Sequence, residues 1–195
     1  MLDISRTSLP GVVVLTPKRF GDERGFFAET WNQKRLQDHA IWLDFVQDNH
    51  SFSREAGTIR GLHFQAPPHA QDKLVRCARG RLLDVAVDIR TGSPTFGQWV
   101  AQELSFDNGR QMLIPAGFLH GFITREPDTE IAYKCTGFYA PECEGSVRWD
   151  DPEIGIEWGI GDKIVMSEKD RLAGALSDLS SPFVYKGPLP WEGAV

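Results

Sequence analysis

Cysteine is scarce: the 195 residues hold three, Cys77, Cys135 and Cys143, an odd number without a CxxC spacing. This argues against a disulfide framework and against a structural zinc knuckle, and leaves buried reduced thiols as the expectation. Basic runs are missing as well. Lys and Arg total 21 against 27 Asp and Glu, a net charge of −6 at pH 7, so the basic face of a nucleic-acid binder is absent and no nucleic-acid partner is expected. An anionic ligand must therefore be caught by locally placed Arg and Lys rather than by the field of the whole molecule. No stretch nears the roughly 18 uninterrupted apolar residues of a membrane span. The opening segment 1–6 has no apolar signal-peptide core. Together these predict a soluble, cytoplasmic protein with no membrane partner. No Gly-rich dinucleotide loop follows a strand, which fits chemistry without a redox cofactor.

What is present reads as all-β. Gly (19) and Pro (12) punctuate the chain from end to end, with short apolar runs between them. A β-branched run at 12–15 predicts a first strand, and further strands are expected at 58–65, 73–78, 81–89, 97–106, 111–115, 121–124, 130–138 and 146–149. The clearest is Leu83-Asp84-Val85-Ala86-Val87-Asp88-Ile89. Its odd positions are all apolar, so one face should lie in a core. Asp84 and Asp88 fall on the other face, towards a polar barrel interior or solvent, with Asp84 a candidate for supporting a catalytic group. About eight to ten antiparallel strands at this spacing point to a jelly roll or small barrel. Thr30-Trp31-Asn32-Gln33 matches a capping box and predicts a short helix fading near Ala40. A second helix start is expected at Ser167-Glu168-Lys169-Asp170, and the end of the chain, 183–195, should be an extended tail. Neither repeats nor a linker divide the sequence, so one domain over 1–195 is expected.

Two histidines stand in dense settings. His63 lies in Arg60-Gly61-Leu62-His63-Phe64-Gln65. His120 ends a run in which Gly109 is followed, after five residues, by Pro115-Ala116-Gly117-Phe118-Leu119-His120. The latter is the second half of a cupin signature. Metal-binding cupins bring two histidines one residue apart in the first half, on one face of a strand. Here the partner of His63 at that spacing is Gln65, a far weaker ligand, so the expectation is a cupin-type barrel with no metal.

The motifs together resemble the dTDP-4-dehydrorhamnose 3,5-epimerase family over nearly the whole chain. They run through Phe20 to Phe27, Gln47 to Ser51, Arg60 to Gln65, Asp84 to Arg90, Pro115 to Phe122, Tyr133-Lys134 and Trp149 to Pro152. The resemblance implies a cupin-like jelly-roll barrel with a few short peripheral helices, no cofactor, a homodimer with exchanged N-terminal segments, and a dTDP-linked 4-keto-6-deoxyhexose as substrate. It also implies epimerisation at C5 and C3 through an enolate, which needs a base on one face, a proton donor on the other and positive charge at the ketone oxygen. By the same resemblance His63 is the base, Asp170 orients it, Tyr133 is the acid, and Lys73, with Arg60 and His120, stabilises the enolate. Phe20, Arg24, Glu29, Gln47, Asn49, Glu144 and Lys169 are implied as substrate contacts, and Tyr139 as the aromatic that stacks on the base. Phe138 stands where many relatives have a further tyrosine.

Several residues have plainer readings. Asp170 falls three residues after Ser167 and could serve a helix cap instead of His63, since one residue cannot fully serve both. Tyr133 shares strand parity with Ile131 and Cys135, as a core tyrosine would. Lys73 could be an ordinary solvated lysine, and Arg24 a turn residue. Arg60 lies on the opposite parity from His63, so both face one pocket only if Gly61 forms a bulge. Alternative functions are a single-carbon epimerase, a metal-dependent oxygenase using His63 and His120, and a non-catalytic sugar-binding cupin.

Overall fold

The computed structural model describes residues 2–161 and 163–194; the final residue of the expected tail, Val195, lies outside them. The strands in chain order are β1 (Leu2–Arg6), β2 (Val13–Pro17), β3 (Arg19–Asp22), β4 (Gly25–Ala28), β5 (Gln47–Ser53), β6 (Ile59–Gln65), β7 (Lys73–Arg79), β8 (Arg81–Asp88), β9 (Trp99–Ser105), β10 (Gln111–Ile114), β11 (Phe118–Thr124), β12 (Thr129–Cys135) and β13 (Glu144–Ser146). Two short helices, α1 (Gln33–Gln37) and α2 (Glu168–Arg171), are peripheral. The paired strands form a six-stranded sheet ordered β1-β2-β10-β7-β12-β5, a five-stranded sheet ordered β13-β6-β11-β8-β9, and a separate β3–β4 hairpin, all antiparallel. This is the expected all-β jelly roll.

The two larger sheets enclose one apolar layer and each covers a second on its outer face. Val75, Cys77, Leu82, Ala86, Met112, Phe118, Phe122 and Ile131 meet inside the barrel. Leu62, Val85, Val87, Leu119 and Ile123 pack outward against Ile154, Trp158 and Phe183 from the C-terminal third. Val13, Leu15, Leu74 and Leu113 pack outward against Leu36, Ile41 and Trp191. Strand β8 is thus buried on both faces: its odd positions fill an outer core, and its even ones, with Asp84 and Asp88 fully buried, line the barrel interior.

Three local expectations need correction. α1 starts two residues later than the Thr30 capping box implied. Asn32 is the N-cap, its side chain accepting from the Arg35 N–H at 3.3 Å, while Thr30 gives its carbonyl to the Gln111 amide. Segment 183–194 is not a free extended tail. Val184 bridges Thr91, and a 3-10 helix (Pro190–Gly193) seats Trp191, 4% exposed, with its indole N–H on the Gly11 carbonyl at 2.9 Å. An indole that buries its ring and satisfies its N–H anchors such a segment by itself. Finally, β1, β5 and the β3–β4 hairpin were not among the expected strands.

Candidate active site

His63 and Tyr133 come from opposite sheets and line one cavity of about 460 Å³. On the five-stranded side stand Arg60 and His63 of β6 and His120 of β11; on the six-stranded side stand Ser51 of β5, Lys73 of β7 and Tyr133 of β12. Lys169 and Asp170 of α2 close one edge. A second hollow, about 270 Å³, shares His63, Lys73 and Tyr133 with the first and adds Gln47, Asn49, Gln71, Tyr139 and Glu144.

The parity conflict between Arg60 and His63 is resolved by a bulge. His120 pairs with His63 and Phe122 with Arg60, so β6 carries one residue more than β11 between those pairs. The extra residue lets Arg60 and His63 face the same cavity. Gly61 makes this possible. Its φ is +128°, and a Cβ there would stand 2.5 Å from the Gly121 Cα, so no side chain fits.

Asp170 divides its two roles between backbone and side chain. Its N–H donates to the Ser167 Oγ at 3.1 Å, which caps α2, while its Oδ1 lies 2.6 Å from His63 Nε2. Burial pushes the Asp170 carboxyl up, but hydrogen bonds from His63, the Ser167 hydroxyl and the Gly61 N–H outweigh it and hold it below the ordinary carboxylate range. A second pair repeats the theme: His120 Nε2 lies 2.7 Å from Asp84 Oδ1, and the other Asp84 oxygen is buried with no hydrogen-bond partner among the described residues.

Across the cavity, burial pushes the Tyr133 phenol above its usual value, with the Cys135 thiol adding to the effect, so the hydroxyl keeps its proton well beyond neutral pH. Burial pushes the Lys73 ammonium down from its usual value. At the rim, the Glu144 carboxylate meets Lys169 Nζ at 2.5 Å and the Tyr139 hydroxyl at 3.2 Å. Although the whole chain is acidic, Arg60, Lys73 and Lys169 gather around this cavity, as capture of an anion requires.

Three expected contacts are not brought here. Phe20 and Glu29 line an apolar hollow of about 130 Å³ with Leu15, Leu36 and Leu74 on the outer side of the six-stranded sheet. Arg24 projects from the hairpin turn, bound to Asp22 at 2.5 Å. Conversely, Ser51, Phe122, Val165 and Met166 line the cavity and were missed. Ser51 had a signal in the alternation Gln47, Asn49, Ser51, Ser53, which places four uncharged polar side chains on one face of β5.

Comparison with known proteins identifies the group to which this architecture belongs. The family model for dTDP-4-dehydrorhamnose 3,5-epimerase matches residues 6–178. The chain belongs to that family. It is 51% identical over 177 residues to the dTDP-4-dehydrorhamnose 3,5-epimerase of Salmonella typhimurium, covering 90% of this chain and 96% of that protein. The Sinorhizobium fredii enzyme of the same name is 49% identical over 178 residues, 91% of each chain. Among solved structures, the dTDP-6-deoxy-D-glucose-3,5-epimerase of Legionella pneumophila, in complex with dTDP-4-keto-L-rhamnose, superposes with a TM-score of 0.93 at 43% identity. That match covers 96% of this chain and all of the other. Like other members of this epimerase family, the chain has the expected cupin-like fold.

Proposed function

We propose that this chain is an isomerase that inverts C5 and C3 of dTDP-4-dehydro-6-deoxy-D-glucose, giving dTDP-4-dehydro-L-rhamnose, with His63 as base and Tyr133 as acid. The observation that carries the reading is the placement of a carboxylate-bound imidazole and a protonated phenol on opposite walls of one cavity. With its Nε2–H given to Asp170, the neutral imidazole keeps its lone pair on Nδ1 and takes the proton from the carbon beside the ketone. The electron pair moves onto the ketone oxygen, where Lys73, Arg60 and His120 supply positive charge or donors. Tyr133 then delivers its proton to the opposite face of the carbon, and solvent restores both groups. A ring flip presents the second carbon to the same pair. Gln47, Asn49, Glu144 and Lys169 hold the nucleotide, with Tyr139 stacked on the base, so that remote binding energy fixes the sugar's pose.

Phe20, Arg24 and Glu29 belong to this reading through a homodimer, in which the β3–β4 hairpin of one copy reaches the cavity of the other. The hairpin exposes Phe20, Phe26 and Phe27, 53%, 45% and 70% accessible, an apolar surface of the kind a second copy would cover. A single domain acting in the cytoplasm completes the proposal.

The test is deuterium wash-in. In D₂O the enzyme with the dTDP-4-keto sugar should place deuterium at C3 and C5, read by NMR, and His63→Ala should abolish exchange while dTDP still binds. Exchange at one carbon only would make the chain a single-carbon epimerase. Exchange that survives in His63→Ala would remove His63 as the base.

A further inference from the structure

Gln65, which occupies the position of a metal-binding cupin's second histidine, is 5% exposed and turned to another task. Its amide nitrogen donates to the carbonyls of His69 and of Phe138 (2.9 Å for the latter), and its amide oxygen accepts the Ala140 N–H at 2.9 Å. The turn after β6 is thereby clamped against the segment entering the 3-10 helix Pro141–Cys143. Two backbone bonds complete the clamp: Ala66 N–H to the Cys143 carbonyl at 2.7 Å, and His69 N–H to the Ala66 carbonyl at 3.0 Å. Pro67 and Pro68 stiffen the turn between them. The outcome is that a ligand atom from each of His69, Glu142 and Cys143 lies within 4.8 Å of the others.

We propose that His69, Glu142 and Cys143 form a binding site for a divalent transition-metal ion of the zinc class, at the rim of the barrel and apart from the His63–Tyr133 cavity. The donor set carries the choice of ion. One imidazole, one carboxylate and one thiolate suit a borderline ion such as Zn²⁺, whereas Mg²⁺ and Ca²⁺ take oxygen ligands. Ligand atoms this close need only small side-chain rotations to stand about 2.0–2.3 Å from a common centre, with water as a fourth ligand. His69 and Glu142 are exposed and Cys143 half-buried, so the ion has a path in. Because the backbone is already held by Gln65, binding has to order little more than three side chains. Cys77 and Cys135 are buried in the barrel, which leaves Cys143 free of a disulfide partner.

The proposal is tested by titrating ZnCl₂ into the full chain, first stripped with a chelator, by isothermal calorimetry, with Co²⁺ as a spectroscopic probe. One Zn²⁺ per chain is expected, and Co²⁺ should give a thiolate charge-transfer band. His69→Ala and Cys143→Ser should each weaken Zn²⁺ binding by at least about tenfold, the lower end of what even an outer-sphere partner contributes. Cys143→Ser should also abolish the Co²⁺ band. All three side chains lie outside the cavity, so thermal unfolding checks that the variants fold. Absence of uptake, or uptake that either substitution leaves unchanged, overturns the site.

Discussion

Asp84 and Asp88 stand four residues apart on β8, both fully buried and both facing the barrel interior, yet they are finished differently. Asp88 accepts five hydrogen bonds: from the Arg90 N–H, Nε and Nη2, from Ser93 Oγ and from Thr95 Oγ1, at 2.6–2.9 Å. The Arg90 guanidinium is itself sandwiched against Phe118 and Tyr185, 4.4 and 5.0 Å from the ring centroids. Among the described residues the Asp84 carboxylate makes one bond, to His120, and leaves an oxygen unpartnered. A buried carboxylate whose lone pairs are all spoken for is part of the frame. One left partly unsatisfied, beside an imidazole that lines a cavity, can respond to a ligand. The same contrast separates two neighbourhoods of the barrel, one locked by ion pairing around Asp88 and the other open around His63 and Tyr133.

The largest expected effect lies in the locked neighbourhood of Asp88. Asp88→Asn leaves the Arg90 charge buried without its counter-ion and should cost about 3–5 kcal/mol of stability, seen in calorimetry as a Tm lower by something on the order of 10 °C. Activity per folded molecule should hardly change. Burial pushes the Asp88 carboxyl up, but the bonds from Arg90, Ser93 and Thr95 outweigh this and hold it below the ordinary range. Its contribution is therefore complete above the unfolded carboxylate pKa and is lost as pH falls through the lower folded value. Wild type should show that acid loss of stability, and in Asp88→Asn it should be smaller by the Asp88 share, since Asp170 and other lowered carboxylates still contribute.

Around the open cavity the order reverses, with activity falling and stability nearly kept. Asp170→Asn keeps the N–H that caps α2 but loses the charge that orients His63. kcat should fall about 10- to 100-fold, the usual cost of removing the partner that holds a functional histidine, with little change in Tm. If stability fell instead and kcat held, Asp170 would belong to the frame. Smaller still is the effect of Lys73→Arg on the pH profile. Burial moves the Lys73 ammonium towards neutral pH and the Tyr133 phenol away from it, so Lys73 is taken as the group that sets the alkaline limb. An arginine stays charged, so the alkaline limb of kcat/KM should move to higher pH. An unmoved limb would remove Lys73 as the titrating group.

Legibility from sequence followed the physics of each segment. β8 was readable because it is buried on both faces, which makes its outward row apolar from Leu83 onward. β5 was not, because its inward face is turned to an open cavity and carries Gln47, Asn49 and Ser51 in place of the aliphatic residues that mark a strand. β3–β4 was missed for a related reason: its aromatic residues are exposed, so no buried face imposes an alternation. The tail was misread because Gly187, Pro188 and Pro190 speak locally for an extended chain, while the docking of Trp191 is decided by the distant Gly11 and Leu36.

The sequence by itself determined the class of fold, the strand alternation, the family and the residues around which chemistry could be built. Those follow from side-chain periodicity and residue type, which act over a few neighbours. Only the tertiary structure decided that a bulge at Gly61 turns Arg60 towards His63, and that Asp170 splits its backbone and carboxylate between two partners. It also decided that the hairpin bearing Phe20 and Arg24, with Glu29 just after it, stands away from its own cavity. Each of these depends on pairing between segments far apart in the chain, where one residue of register changes which way every side chain points.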